Sequence, residues 1–127
     1  MSVSAAKHAT GSAVHELVRL RSGQGEPLMI ETSYLPVKRF PSLDVERLEN
    51  GSLYDFLTAA YGFEIHNVRE TLRPVMPLPQ EKELLQITGT LPCILLERFT
   101  HENGACAEYT KSIVRGDKYI FSVELKK

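Results

Sequence analysis

The sequence predicts an α+β fold, a mostly antiparallel sheet of about six strands with two or three helices packed on it. Three observations carry this. Stretches with a period of two, such as VHELVRLR (14–21) and YIFSVEL (119–125), recur along the chain. Turn signals, the glycine-rich SGQGEP (22–27) and Asn103-Gly104, join neighbouring stretches as antiparallel hairpins. Two segments between them carry helix start and stop signals, one from Ser52 to Gly62 and one from Pro79 to near Gly89.

Residues 1–12 are small and polar without periodicity, so 1–13 are expected to be a linker or remnant ahead of a folded domain over 14–127. Strands follow at 14–21 and 28–35. Pro36 and Pro41 bracket a loop, with a short helical turn expected around Asp44–Leu48. Asn50-Gly51-Ser52 then opens LYDFLTAAYG, with Ser52 as N-cap and Asp55 at the third helical position of a capping box. Leu53, Phe56, Leu57 and Ala60 make its apolar stripe, and Gly62 is its natural stop. Residues 64–76 read as a long strand whose Pro74 suits an edge. Pro79 opens QEKELLQI as a helix from its first turn. CILLERFTH (93–101) and ACAEYTKSIVR (105–115) form the hairpin around Asn103-Gly104, and 119–125 closes the chain as a sixth strand. With a two-residue loop, Phe99 would lie opposite Glu108 and Arg98 opposite Tyr109.

Composition narrows the function. A chain of 127 residues, 43% hydrophobic and 24% charged, suits one globular domain. Its formal net charge of −1 argues against a nucleic-acid-binding domain, whose footprint would be basic. No apolar run approaches the ~20 residues that span a membrane, and the start lacks the apolar core of a signal peptide. A cytoplasmic protein is the expectation. Cys93 and Cys106 have no metal or redox spacing and are expected to be reduced and buried. The four histidines are scattered and no phosphate-binding glycine loop is present, so no metal and no cofactor are expected.

Three polar features stand out on this framework. Arg19-x-Arg21 sets two guanidiniums on one strand face, where they can converge on an anion or pair across the sheet with Glu31. Glu31 shares that face if the 22–27 loop closes with an odd number of residues. The Ser52 helix start offers unpaired N–H groups and the positive end of the helix dipole, with hydroxyls from Ser52 and Tyr54; a plain N-cap would look the same. Glu108-Tyr109 sits in mid-strand, where the carboxylate either faces solvent or accepts ligand hydroxyls. Together these groups suit a small anionic, hydroxylated molecule.

GEPLMIETSYLP, then GSLYDFL with YGF, then LERFTHENGACAEYTKSIVRGDKYIF, resemble the UTRA domain, the effector-binding half of the HutC subfamily of GntR transcription regulators. The resemblance spans roughly 14–125 and its blocks occur in order. It implies a chorismate-lyase-like fold, a dimer contact and a site for a small metabolite, often a sugar phosphate. It also implies effector-binding roles for Arg19, Arg21, Glu31, Ser52, Tyr54, Glu108, Tyr109 and Tyr119, while Arg115 and Asp117 are expected to tie a strand end to its turn. The family's winged helix finds no counterpart before residue 14, so DNA is expected to be reached only through a domain outside this chain. Two rival readings remain: a chorismate-lyase-like enzyme of the same fold, and a dimerisation module with a vestigial pocket. Against the enzyme, no pair of catalytic groups with separated pKa values is evident.

Overall fold

In the computed structural model, residues 2–7, 13–48 and 52–126 are described, except for the side chains of 2–7, 45 and 46. The element order is β1 (Ser2–Lys7), β2 (Ala13–Gly23), β3 (Glu26–Pro36), α1 (Val45–Leu48), α2 (Leu53–Tyr61), β4 (Asn67–Val75), α3 (Pro79–Leu85), β5 (Cys93–Glu102) and β6 (Ala105–Arg115). One six-stranded sheet has the order β1-β2-β3-β6-β5-β4, and every neighbouring pair is antiparallel. The α+β class and the strand number agree with the sequence reading, but the membership of the sheet differs.

Two corrections account for that difference. The segment expected as a linker supplies β1, whose residues Ser2–Lys7 pair with Val18–Ala13. Its small residues carry little strand signal of their own, and the open edge of β2 supplies the ladder instead. At the other end, 119–125 joins no strand, although its alternation is real. β4 lies on the edge, as Pro74 suggested.

Turn chemistry sets the registers. Asn103 (φ 52°) and Gly104 (φ 79°) both take the left-handed conformation that a tight two-residue hairpin requires, so Glu102 faces Ala105. A bulge between Thr100 and His101 then slips the ladder by one. Thr100 is paired with Glu108, Phe99 with Tyr109 and Arg98 with Thr110, which corrects the expected pairing. A second bulge, between Arg21 and Ser22, lets the two-residue Gln24-Gly25 turn place Arg19 directly opposite Glu31.

Helix α2 begins and ends as expected. The Ser52 Oγ accepts the Asp55 N–H at 3.4 Å, and Gly62 (φ 64°) caps the end by donating to the Thr58 and Leu57 carbonyls. The Asn50-Gly51 approach to the helix lies outside the described residues. Leu53, Phe56 and Leu57 are buried with Leu17, Leu35, Phe40, Leu48, Phe63 and Ala107 on one sheet face. Truncating one such side chain to alanine typically costs about 2–5 kcal/mol. Helix α3, opened by Pro79 and by Glu81 accepting the Leu78 N–H at 2.8 Å, ends at Gln86, before Gly89. Its Leu85 packs on the opposite sheet face with Ile30, Ile87 and Cys93. Cys93 is buried as expected but Cys106 is exposed, and the two lie at opposite ends of the β5–β6 hairpin. Arg115 holds Asp117 through two hydrogen bonds at 3.1 and 2.9 Å and donates to the Leu85 carbonyl at 3.0 Å, the strand-end tie expected of the pair.

The loop after β3 is anchored by charge. Arg39 donates to both oxygens of Glu102 at 2.7 and 3.0 Å and to the Tyr61 carbonyl at 3.1 Å, while the Glu64 N–H reaches Glu102 at 2.9 Å. These bonds, Arg39 first, hold the Glu102 carboxyl at about 2 instead of 4.5. A carboxylate with a lower pKa folded than unfolded stabilises the fold above its unfolded value, and that stability fades as pH falls toward the folded value. Because Arg39 is partly exposed, Glu102→Gln is expected to cost only about 1–2 kcal/mol at neutral pH. Urea denaturation of both proteins should show the gap closing between about pH 4.5 and pH 2; a gap independent of pH would assign the effect to shape.

Candidate effector-binding site

Strand side chains alternate between faces, so the registers decide which polar groups meet. Arg19 on β2, Glu31 and Ser33 on β3, Glu108, Thr110 and Ser112 on β6, and Arg98 and Thr100 on β5 all fall on the face that carries α2. Arg19, Ser33, Thr100, Glu108, Thr110 and Ser112 are the buried polar residues of the described chain, and all six share this face. Polar side chains do not collect in a sheet interior without partners, because desolvation costs about 1–3 kcal/mol for each unsatisfied group.

Glu108 is the hub. Tyr54, in the first turn of α2, donates to Glu108 Oε2 at 2.9 Å, and Thr110 donates to Oε1. Each hydroxyl has one proton, so directions follow along the chain. Ser33 donates to Thr110 at 2.7 Å, and Thr100 donates to the Tyr54 oxygen at 3.1 Å. Burial raises the Tyr54 phenol to about 12, with the Glu108 charge adding to the shift, so it stays a donor at physiological pH. The Arg98 guanidinium stacks 4.8 Å from the Tyr54 ring centroid and lies 3.7 Å from Glu108. Helix α2 is thereby tied to the sheet at the same point that carries the charges.

The cations are held at a distance from the carboxylates. Arg19 and Arg21 each approach Glu31 at 3.7 Å, as Arg98 approaches Glu108. Charge-assisted hydrogen bonds run at about 2.7–2.9 Å, the spacing that Arg39–Glu102 does reach. The Arg98 Nε is buried without a hydrogen-bond acceptor among the described residues. Arg19 has its pKa lowered, by burial first, against the opposing pull of Glu31, and then by the charges of Arg21 and Arg98. The three guanidiniums therefore share one neighbourhood and repel one another across it. Glu31, Glu108 and Glu70, which faces Arg98 from β4, oppose the three guanidiniums, and none of the pairs with Glu31 or Glu108 closes to the distance of a charge-assisted hydrogen bond.

The structure thus brings together Arg19, Arg21, Glu31, Tyr54 and Glu108 of the sequence-derived candidates, and places Ser52 at the exposed helix start two residues from Tyr54. Two candidates fall elsewhere. Tyr109 points to the opposite sheet face, where it stacks on Tyr34 and Phe99 and donates to Glu97 at 2.6 Å. Its phenol is raised by burial and by that acceptor. Tyr119 lies in the segment that joins no strand. Sequence reasoning missed Arg98, Thr100, Ser33, Thr110 and Ser112; the usable signal was the alternation Glu108, Thr110, Ser112 along one strand. Among the described residues, no helix is long and apolar enough to cross a membrane, and no cluster of His, Cys, Asp and Glu could hold a metal ion.

Comparison with known proteins places this geometry. The model of the UTRA domain matches residues 4–120. The transcriptional repressor NagR of Bacillus subtilis is 30% identical over 111 residues, which cover 87% of this chain and 45% of NagR. The mannosyl-D-glycerate transport/metabolism system repressor MngR of Escherichia coli is 27% identical over 113 residues, covering 87% and 46%. The chain thus spans less than half the length of these relatives. The crystal structure of the effector domain of PhnF from Mycobacterium smegmatis superposes with a TM-score of 0.88 at 22% identity, over 100% of this chain and 85% of that one. With the family match across nearly its whole length, the chain belongs to the UTRA domain family, the effector-binding domains of GntR-family transcription regulators.

Proposed function

We propose that this chain is the sensing and dimer-forming part of a cytoplasmic transcription repressor, and that it binds a small anionic, hydroxylated metabolite such as a sugar phosphate. The observation that carries this is the sheet face on which Arg19, Arg21 and Arg98 crowd around Glu31 and Glu108 without closing to hydrogen-bond distance, beneath the first turn of α2. The guanidiniums and the Ser52 helix start take the anionic group; the carboxylates accept sugar hydroxyls. The name of MngR couples that relative to mannosyl-D-glycerate, an anionic glycoside of this chemical kind. Both Glu108 oxygens are engaged by hydroxyl donors, which suits an acceptor in a binding site better than the acid or base of an enzyme.

Because Tyr54 links α2 to the charged face, occupation of the site bears directly on how the helix sits on the sheet. A micromolar effector supplies about 8 kcal/mol, of which only the part that differs between two domain arrangements, typically about 1–3 kcal/mol, can alter operator affinity. DNA itself is contacted through a separate domain of the full regulator. Calorimetric titration with a panel of hexose 6-phosphates, inorganic phosphate as control, tests the reading. At least one sugar phosphate should bind, with affinity reduced about 10- to 100-fold in Arg21→Ala and several-fold in Ser52→Ala. Affinity unchanged in both variants would place the ligand elsewhere, and turnover of chorismate to hydroxybenzoate would make the domain an enzyme.

A further inference from the structure

Hydrogen bonding on the charged face is incomplete at one place. Of the buried hydroxyls there, Ser33, Thr100 and Thr110 are joined to one another, to Tyr54 or to Glu108. Ser112 is 5% exposed and makes no hydrogen bond among the described residues. Unlike the Arg98 Nε, its oxygen is not sealed from solvent. A hydroxyl kept in a strand interior without a partner costs the fold stability, and a β-branched residue suits such a position better.

The register places Ser112 opposite Glu31 on one side and Leu96 on the other. Arg19 lies opposite Glu31 in turn, so one row runs from a cation through a carboxylate and a hydroxyl to an apolar residue. Cβ atoms of such opposite residues lie about 4.5–5.5 Å apart. Glu31 meets Arg19 and Arg21 at 3.7 Å, beyond hydrogen-bond distance, so its oxygens keep acceptor capacity toward a ligand. Both Glu108 oxygens, by contrast, already accept hydroxyl protons. A carboxylate that can only accept, beside a hydroxyl that can donate, suits a ligand group that does both. An oxyanion there would meet the Glu31 charge, and an ammonium would meet the two arginines. A neutral alcohol suits both neighbours.

We infer that Ser112 is a specificity-determining residue of the effector site: its hydroxyl donates to an alcohol of the ligand, and that alcohol donates to Glu31. The inference rests on the reading of this face as an effector site and gives the site a second end. The anionic group is left to the guanidiniums and the Ser52 helix start, while the Glu31–Ser112 pair reads a hydroxyl. Leu96, next in the row, makes this pair the border between the polar and apolar parts of the floor.

Calorimetric titration of wild type and Ser112→Ala tests it, with a hexose 6-phosphate that binds and its monodeoxy analogues as probes. Alanine keeps the small volume and removes a hydroxyl without a partner, so the melting temperature should be no lower than that of wild type. Wild type should bind one monodeoxy analogue about 10-fold or more weakly than the parent sugar phosphate. Ser112→Ala should bind the parent about 5- to 10-fold more weakly and discriminate against that analogue correspondingly less. A packing role for Ser112 would weaken parent and analogue alike. Equal discrimination in the two proteins would therefore overturn the role of Ser112 and leave the effector site standing. No binding of any hexose 6-phosphate to wild type would overturn both.

Discussion

Glu108→Ala is expected to destabilise the domain by about 3–5 kcal/mol, a large share of the stability of a protein this size. The loss has three sources. Tyr54 and Thr110 lose their acceptor, Ser33 and Thr100 lose the order that these two impose, and Arg98 is left without its partner carboxylate. Glu31→Ala supplies the contrast, because Glu31 lies nearer the solvent and meets its arginines at 3.7 Å without a network of hydroxyls. It should cost less than Glu108→Ala, about 1–2 kcal/mol, because Arg19 is buried and loses its counter-charge while Arg21 stays in solvent. Urea denaturation at neutral pH, analysed with a common slope, separates the two. A loss below about 1 kcal/mol for Glu108→Ala would show that Glu108 is dispensable for folding and is kept for the ligand alone.

The helices and five of the six strands were legible because their signals are local. Ser52 and Gly62 bound α2 by their own hydrogen bonds, and Pro79 opens α3 by its fixed backbone. The registers were less accessible. Asn103-Gly104 correctly announced a two-residue hairpin, but the bulge at Thr100/His101 is silent in the sequence. A slip of one residue moves every side chain to the other face. In the unbulged pairing Arg98 would share a face with Tyr109; in the structure it shares the face of Glu108 and Thr110. That one residue hid Arg98 from the face of Glu108, whereas Tyr109 was taken from the family's Glu-Tyr pair, whose neighbouring side chains point to opposite faces in any register.

The two ends of the chain failed for opposite reasons. β1 has a weak pattern and a partner, since β2 offers an open ladder to almost any sequence that can lie extended. Residues 119–125 have a strong pattern and pair with no strand among the described residues. Periodicity reports what a segment would bury, and topology decides whether anything lies within reach to bury it against.

Substitution of Arg98 separates charge from geometry, and here the expected effect on binding is largest. Arg98→Ala removes the guanidinium whose buried Nε has no acceptor among the described residues, and strands Glu108. It should weaken binding of a sugar phosphate by about 100-fold or more, and it should also destabilise the fold by about 2–4 kcal/mol. Because those effects are entangled, Arg98→Lys is the informative variant. Lysine keeps a positive charge opposite Glu108, so the unfolding midpoint should fall by far less than for alanine. It lacks the planar fork and the Nε–H, and it cannot stack as a flat cation on Tyr54. Affinity for a hexose 6-phosphate should therefore still drop about 10-fold or more in a calorimetric titration. Near wild-type affinity in Arg98→Lys would mean that Arg98 acts as a point charge balancing Glu108, leaving the anion to Arg21 and the Ser52 helix start.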